Sequence, residues 1–453
     1  MGLFDLKIIN KYDCAGPRYT SYPTANRFDK FDNKEYAKQA LISNENKRPL
    51  SIYCHIPFCN TVCYYCGCNK VVTKDKNKAK PYISRLFHEI DMQSLLFDSS
   101  RLVEQMHFGG GTPTFLSDDE LSSISSKLQS QFNFSDNGEY SIEIDPRGVG
   151  EKTIKTLARA KFNRISLGVQ DFNIDVQRAV NRVQSFEQTK QVINVARRNG
   201  FNSVSIDLIY GLPKQSVETF ATTLDQVVNL KPDRISLFNY AHLPELFKPQ
   251  RRINILELPS VDIKMAIFKY SVDYLLSSGY VYIGMDHFAL PNDSLAIAQR
   301  EGKLYRNFQG YSTHSECELV GLGLSSIGQI GKSFSQNEKS IEEYYQKIDS
   351  GEIPISKGYI INKDDEIRRA VIMELICHFE LDFANIEKQF EIVFSDYFKD
   401  SLSNLAEMKK DGLIELNDMN IKVKDKGRLL IRNICMTFDA YLSKDETKFS
   451  RTI

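Results

Sequence analysis

Five of the nine cysteines, Cys54, Cys59, Cys63, Cys66 and Cys68, lie between positions 54 and 68. Directly after the apolar run S51-I-Y-C-H-I56 the chain reads C59-N-T-V-C63-Y-Y-C66-G-C68. Three thiolates at spacings of four and three can wrap a cubane iron–sulfur cluster from a single loop. Three protein ligands leave one iron open to an exogenous chelating ligand. A structural cluster would normally carry a fourth cysteine. Structural zinc is the alternative, but zinc sites favour two well-separated CxxC pairs or a Cys2His2 set, and no second pair occurs. The iron–sulfur reading is therefore preferred. Cys68 is a candidate for assisting the chemistry, whereas Cys54 alternates with the strand and reads as packing. Cys14, Cys317, Cys377 and Cys435 are scattered, and a scattered cysteine is expected to be a small buried hydrophobe.

Around this loop, short β-branched runs alternate with longer amphipathic segments from about residue 50 to about residue 290. Strands are expected at Ser51–Ile56, Glu104–Phe108, Tyr140–Ile144, Arg164–Val169, Ser203–Leu208, Arg234–Asn239 and Tyr280–Gly284. Helices are expected near 80–97, 117–132, 150–161, 186–199, 215–230 and 261–278. That cadence implies βαβ units and a parallel sheet, closed or partly closed into a barrel. Polar residues gather where such strands end: Gly109–Thr112, Glu143 and Asp145, Gln170 and Asp171, Asp207, Asn239 and Asp286. The fold class expected is α/β, a partial (β/α) barrel of parallel strands over 35–358. An irregular, Pro- and Gly-rich segment over 1–34 would cover the active site. After about residue 360 the pattern turns to helices with a small β pair, Leu413–Glu415 and Ile421–Val423. Residues 359–453 are thus expected to form a mainly helical, winged-helix-like domain.

Charge excludes several partner classes. Lys and Arg together number 58, as do Asp and Glu, so the formal net charge is zero among 453 residues. Nothing pulls such a chain toward nucleic acid or an anionic membrane in general. No stretch approaches the roughly 18 apolar residues of a membrane span, and the first residues are too polar for a signal-peptide core. A cytoplasmic protein is expected. A monomer is also expected, because no long apolar heptad asks for a partner.

The CxxxCxxC spacing with an aromatic residue, Tyr65, before the last cysteine resembles the radical S-adenosylmethionine (SAM) superfamily. The resemblance narrows further. S-I-Y-C-H-I-P-F-C at 51–59, H-F-G-G-G-T-P-T at 107–114, I-E-I-D-P-R at 142–147 and G-V-Q-D-F at 168–172 are similar to the oxygen-independent coproporphyrinogen III oxidase family. So are I-D-L-I-Y-G-L-P at 206–213, F-N-Y-A-H-L-P at 238–244, G-M-D-H-F-A at 284–289 and R-N-F-Q-G-Y at 306–311. The likeness runs from P-R-Y-T-S-Y-P at 17–23 to R-L-L-I-R-N-I-C-M at 428–436.

The resemblance implies a radical SAM partial barrel with one [4Fe–4S] cluster on Cys59, Cys63 and Cys66. It implies two SAM molecules side by side. The cluster-bound SAM would meet Tyr53, Gly110, Glu143 and Ile327. The second would meet Tyr65, Gly111, Thr112, Gln170, Arg182, Asp207 and Ala241. Tyr65 departs from the family's frequent Phe, keeping the ring and adding a hydroxyl. Physical roles agree with these positions: glycines admit close backbone approach, and Arg182 can clamp a carboxylate through two hydrogen bonds. Taken singly, a GGGT run more often makes a turn, Gln170 a surface amide and Arg182 a solvated helix charge. Their joint placement at strand ends reverses that preference.

The activity implied is conversion of two propionates of coproporphyrinogen III to vinyl groups by a 5′-deoxyadenosyl radical, giving protoporphyrinogen IX in heme biosynthesis. Cys68 and Tyr53 are the catalytic candidates. An electron donor and an electron acceptor are needed and are not named by the sequence. Arg18 is a candidate for a substrate carboxylate, and His287 and Gln309 are candidates for facing the substrate. The alternative is a related heme chaperone that binds heme and delivers it. Those relatives typically lack the P-R-Y-T-S-Y-P segment and carry Phe where this chain has Cys68, so the enzyme is the preferred reading.

Overall fold

In the computed structural model, which describes residues 3–442 and 449–452, the chain divides into two units. One comprises Phe28–Tyr280 and Glu316–Ile360; the other comprises Met1–Arg27, Val281–Ser315 and Ile361–Ile453. Residues 1–2, 443–448 and 453, which belong to the expected N- and C-terminal segments, lie outside the described residues. No described helix is long and apolar enough to cross a membrane.

Six strands form the parallel heart of the first unit: β1 (Leu50–Ile56), β2 (Leu102–Gly110), β3 (Asn133–Ile144), β4 (Arg164–Gln170), β5 (Ser203–Tyr210) and β6 (Arg234–Asn239). Each pairs in parallel with the next in chain order. Side-chain alternation explains why they fold as strands with two distinct faces. In β4, Ile165, Leu167 and Val169 are at most 2 % exposed, while Ser166, Gly168 and Gln170 are only partly covered. Ile142 and Ile144 in β3, and Val204, Ile206 and Leu208 in β5, are buried in the same way. Their neighbours Ser141, Glu143 and Asp207 fall on the opposite, polar face, which is the face available to a ligand.

The crossovers between strands are helical: α1 (Ala79–Ser94), α2 (Asp118–Gln131), α3 (Glu151–Arg159), α4 (Phe186–Arg198) and α5 (Val217–Asn229), with α6 (Val261–Ser277) following β6. Serines start several of them. Ser117, Ser185 and Ser216 each accept from the backbone N–H three residues on, and each is answered by the side chain at that position. Such reciprocal caps satisfy amides that would otherwise be orphaned at a helix start.

The barrel is left open, because β1 is bordered on its far side by β7 (Glu318–Leu322), which runs parallel to it. Beyond β7 the sheet turns antiparallel through β8 (Ile327–Ile330), β9 (Ser333–Asn337) and β10 (Ile355–Ile360), ending on Asp29–Lys30. This antiparallel extension was not anticipated from the sequence. Its strands are short and rich in Gly, Ser and Gln, so they carry little apolar signal. An ion pair, Arg101–Glu318 at 2.7 Å with side chains 0 % and 4 % exposed, fixes β7 to the loop before β2.

In the second unit, the expected parallel strand at Tyr280–Gly284 is instead half of an antiparallel hairpin, Val281–Gly284 against His287–Ala289. Gly284 (φ +144°) and Met285 (φ +54°) reverse the chain between them. Residues 281–315 cluster with the C-terminal region rather than with the barrel. The N-terminal segment is not wholly irregular: Leu6–Tyr12 is helical, capped by the Asp5 carboxylate. Lys363–His378 and Phe383–Phe390 are helices, and Glu380–Asp382, Asn420–Val423 and Ile414–Leu416 form a three-stranded sheet. The remaining helices of the C-terminal region are short pieces, Phe394–Tyr397, Lys399–Asn404 and Ala406–Lys410, then Asp425–Arg428 and Ile431–Met436. Arg18 forms an ion pair with Asp286. Cys14 is exposed, contrary to the expected buried thiol, whereas Cys317, Cys377 and Cys435 are buried.

Candidate active site

The cysteine loop is held by bonds from its own ends and from three other segments. Phe58–Cys59 pairs in parallel with Val71–Val72, and Val71 and Thr73 donate to the carbonyls of Pro57 and Cys59 at 2.7 and 2.9 Å. Tyr64 N donates to Val180 O at 3.0 Å, and Asn181 Nδ2 to Val62 O at 2.8 Å. Gln250 Nε2 donates to Tyr65 O at 3.0 Å. Lys70 Nζ gathers the carbonyls of Cys66 and Cys68 at 3.2 and 3.3 Å. A loop without regular structure is thereby fixed, as precise ligand placement requires.

The glycines after β2 are demanded by close approach. Gly110 has φ +118°, and a Cβ there would stand 2.7 Å from the His55 ring. Gly111 donates to Ile56 O at 2.9 Å, and a Cβ on it would meet Pro57 O at 2.7 Å. Both positions are closed to any larger residue without a backbone shift.

Loop and strand ends together enclose a cavity of about 520 Å³. Its wall includes Cys59, Cys63, Cys66 and Cys68, with Tyr65, Gly110, Gly111 and Thr112, and then Glu143, Gln170, Arg182 and Asp207. Twelve of the fifteen residues assigned from sequence to the cluster, SAM or catalysis thus share one wall, whereas the substrate candidates Arg18, His287 and Gln309 are not in it. Tyr53, Ala241 and Ile327 are not part of it. Tyr53 instead has its hydroxyl 3.1 Å from His55 Nδ1 and its ring stacked 5.9 Å from that of His107. Several wall residues were not assigned to a site from sequence, among them Lys70, Asp145, Arg147, Ser166 and Gly168. For Asp145 and Arg147 the available signal was a charged D-P-R triplet directly after a buried strand.

Electrostatically the wall is divided. Arg182 Nη1 lies 3.6 Å from Cys63 Sγ and 3.2 Å from Asp145 Oδ2, and its Nη2 donates to Gly168 O at 2.6 Å. Burial would raise the Asp145 carboxyl, but the Arg147 hydrogen bonds and the two guanidinium charges hold it below the usual carboxylate range. In the same wall, burial pushes Asp207 up to about 6, reinforced by the Glu143 charge and resisted by Ser166 and Ser236. Glu143 accepts from Gly110 N at 3.3 Å and lies 3.3 Å from His107 Nε2, whose Nδ1 is 2.5 Å from Ser141 Oγ. Three carboxylates and two guanidiniums thus line one cavity, and the guanidiniums are both engaged with Asp145.

The thiols themselves are unequal. Burial raises Cys59 to about 11, with the Thr112 hydroxyl, 3.6 Å from its Sγ, acting against it. Within the Cys66–Cys68 pair, the bond from Cys68 and the charge of Lys70 favour Cys66 as the thiolate, and Cys68 keeps its proton.

The donor set fits a cluster with a chelating cosubstrate. Three cysteines from one fixed loop face the cavity, and no fourth sits with them apart from Cys68 two residues on. Gln170 Oε1 and Arg182 Nε are buried in the wall without hydrogen-bond partners, and Gln170 holds φ +68°, a conformation costly for a residue with a Cβ. Orphaned polar atoms and backbone strain gathered in one cavity mark a site completed by a ligand.

Comparison with known proteins agrees. The model of the radical SAM superfamily matches residues 53–227, and that of the HemN C-terminal domain matches residues 361–430. The oxygen-independent coproporphyrinogen III oxidase of Pseudomonas aeruginosa is 50% identical over 457 residues, covering 99% of this chain and 99% of that one. The enzyme of the same name from Escherichia coli is 49% identical over 452 residues, covering 99% and 98%. The solved coproporphyrinogen III oxidase (HemN) from Escherichia coli, described as a radical SAM enzyme, superposes with a TM-score of 0.93 at 48% identity, covering 97% of this chain and 99% of that one. With the cysteine loop, the glycine turn and the charged wall in place along the full length of these relatives, the chain belongs to the oxygen-independent coproporphyrinogen III oxidase family of the radical SAM superfamily.

Proposed function

We propose that this chain converts two propionate side chains of coproporphyrinogen III to vinyl groups without O2, giving protoporphyrinogen IX. The observation that supports this most strongly is the single cavity in which Cys59, Cys63 and Cys66 meet both a carboxylate wall and a guanidinium corner. SAM carries an ammonium, a sulfonium and a carboxylate, so it needs both kinds of wall at once. The reduced [4Fe–4S] cluster, when bound with SAM, supplies the electron that cleaves the sulfonium to methionine and a 5′-deoxyadenosyl radical.

The residues of the chain do the rest. Cys59, Cys63 and Cys66 would hold the cluster as thiolates, which would require Cys59 to lose a proton on binding. Glu143, steadied by Gly110 N and His107, accepts from a ribose hydroxyl or the ammonium. Gln170, Arg182 and Asp207, with the backbone of Gly111 and Thr112, hold a second SAM; Arg182 takes its carboxylate and Asp207 a donor. Tyr53 and Cys68 are the groups assigned to the chemistry beside the first SAM. The radical removes a hydrogen atom from the propionate carbon next to the ring; loss of CO2 and of one electron to an external acceptor leaves the vinyl group. One electron must therefore enter and one leave per propionate. The chain is proposed to act as a monomer.

The test is anaerobic. Protein reconstituted with iron and sulfide is given a strong reductant, SAM and coproporphyrinogen III, and products are followed by mass spectrometry. Protoporphyrinogen with 5′-deoxyadenosine is expected, and Cys63→Ser should abolish both by at least about a thousandfold, since the cluster supplies the chemistry. 5′-Deoxyadenosine without decarboxylated porphyrinogen would overturn the substrate. Tight heme binding with no turnover would replace the enzyme by the chaperone.

A further inference from the structure

Asp145 ends β3 and caps the turn Pro146–Gly148, its Oδ1 accepting from Arg147 N at 3.1 Å. The Arg147 side chain folds back over the same carboxylate, with Nε 2.9 Å from Oδ1 and Nη2 2.6 Å from Oδ2. Beyond the carboxylate, Arg147 Nη2 stands 4.0 Å from Cys63 Sγ. Arg182 Nη1 reaches the same sulfur at 3.6 Å and the same carboxylate at 3.2 Å. Two guanidiniums and one carboxylate therefore bracket a single cysteine sulfur with a net charge of about +1, in a site where the side chains are 9 to 23 % exposed. Asp145 is the hinge of the arrangement, because it fixes both guanidiniums in orientation.

Hydrogen bonds to the ligating sulfurs and charge near them set the potential of an iron–sulfur centre. One-electron reduction adds a negative charge to a cluster already held by thiolates. A cationic pair fixed at one ligand sulfur favours the reduced form over the oxidised one. We propose that Arg147, oriented by Asp145 and acting beside Arg182, is a positioning residue that raises the reduction potential of the cluster through Cys63. The proposal rests on the reading of Cys59, Cys63 and Cys66 as cluster ligands. The electron comes from an external low-potential one-electron donor, as the proposed reaction already requires.

The experiment is an EPR-monitored redox titration of the reconstituted full-length chain without SAM, with iron and sulfide content measured on each sample. Arg147→Gln should lower the ratio of reduced to oxidised cluster at a fixed potential by about tenfold, equivalent to ~59 mV for a one-electron couple. Arg147→Lys, which keeps the charge but loses the fork, should fall between Arg147→Gln and the parent. Asp145→Asn keeps an isosteric oxygen that accepts from the guanidiniums but removes a negative charge beside the same sulfur, so it should move the potential the other way. A role that only supports the fold would lower cluster content without this opposition of sign. An unchanged potential in Arg147→Gln at full cluster content, or shifts of the same sign in Arg147→Gln and Asp145→Asn, would overturn the proposal. If the parent chain forms no cluster, the ligand reading fails with it; if the parent cluster forms and only the shifts are absent, the ligand reading stands.

Discussion

At the Cys63 corner the charged groups are paired with one another before any ligand arrives. Arg147 and Arg182 share Asp145, and together they hold its proton off. Elsewhere in the same wall, Glu143 and Asp207 have weaker company: a glycine amide and a histidine at 3.3 Å for one, serine hydroxyls for the other. The first group is internally neutralised apart from a single surplus positive charge, and on the proposed reading the second group takes the cationic part of the ligand. The difference teaches how an overall neutral chain builds a site for a zwitterion. Charge is placed locally, and the acidic side is left incomplete so that the ligand's ammonium or sulfonium finishes it. The cost falls on the folded protein without ligand, since an unpaired buried carboxylate disfavours its own ionisation.

The largest break in this contrast should come from Arg182→Gln. It removes the group that joins Cys63, Asp145 and the Gly168 carbonyl, and a charged hydrogen bond is worth about 1.5–3 kcal/mol. SAM affinity of the reconstituted protein, read by equilibrium dialysis, should fall roughly 10–100-fold. An unchanged affinity would mean that the cationic corner serves only the cysteine loop.

Asp207→Asn probes the other wall and should cost SAM affinity about tenfold at pH 7.5. It carries a second signature in stability. The folded-state pKa of Asp207 is raised from 3.8 to about 6, so the folded chain binds more protons than the unfolded chain between those values. Stability must then fall as pH rises from about 4 to 6, by roughly 2–3 kcal/mol, and stay reduced above. Asn has no charge to lose, so thermal melts of the ligand-free variant should be higher than the parent's at pH 7.5 and equal near pH 4. SAM affinity of the parent should weaken below about pH 6, where Asp207 gains its proton.

A smaller effect sharpens the same wall. His107→Phe keeps a ring beside Tyr53 but removes the contact with Glu143. A few-fold loss of SAM affinity is expected, in line with about 1 kcal/mol for one partly exposed hydrogen bond. Loss as severe as that of Arg182→Gln would move His107 from a support of Glu143 to a ligand contact in its own right.

How much of this was legible in the sequence follows from how local each signal is. The six parallel strands and their helices were readable because Ile165, Leu167 and Val169, and their counterparts, alternate with polar residues. The cysteine loop was readable because its chemistry sits in ten consecutive residues. The antiparallel run Glu318–Ile360 was missed because pairing among short Ser-, Gly- and Gln-containing strands is decided by partners far along the chain. The hairpin at Val281–Ala289 was misread because the first strand alone looks like the others; only the positive φ of Gly284 and Met285 turns it back. Asp145 was read as a polar group at a strand end and Arg147 only as a letter of I-E-I-D-P-R; neither was given a role, since an ion pair between near neighbours ordinarily lies on a solvated surface. Their contact with Cys63 joins positions 63 and 147, which no local pattern records.

Glu89 offers the control for the acidic wall, because it is a carboxylate buried outright, where Asp207 is half-buried, and it is fully served by the protein. It accepts from Gly323 N at 2.8 Å, Asn337 Nδ2 at 2.7 Å and Tyr344 Oη at 2.6 Å. Burial still raises it from 4.5 to about 7, against those three donors. It stands outside the cavity wall, so its donors tie α1 to the β7–β8 turn and to β9 rather than to a ligand. Tyr344→Phe removes one donor and should raise Glu89 further. The loss of stability, about 1–2 kcal/mol, should therefore be larger at pH 8, where the carboxylate is charged, than at pH 6, where it is protonated. Melts at the two pH values measure this directly, and SAM affinity should not move. If Tyr344→Phe weakened SAM as Asp207→Asn does, the distinction between a carboxylate completed by the fold and one completed by the ligand would collapse.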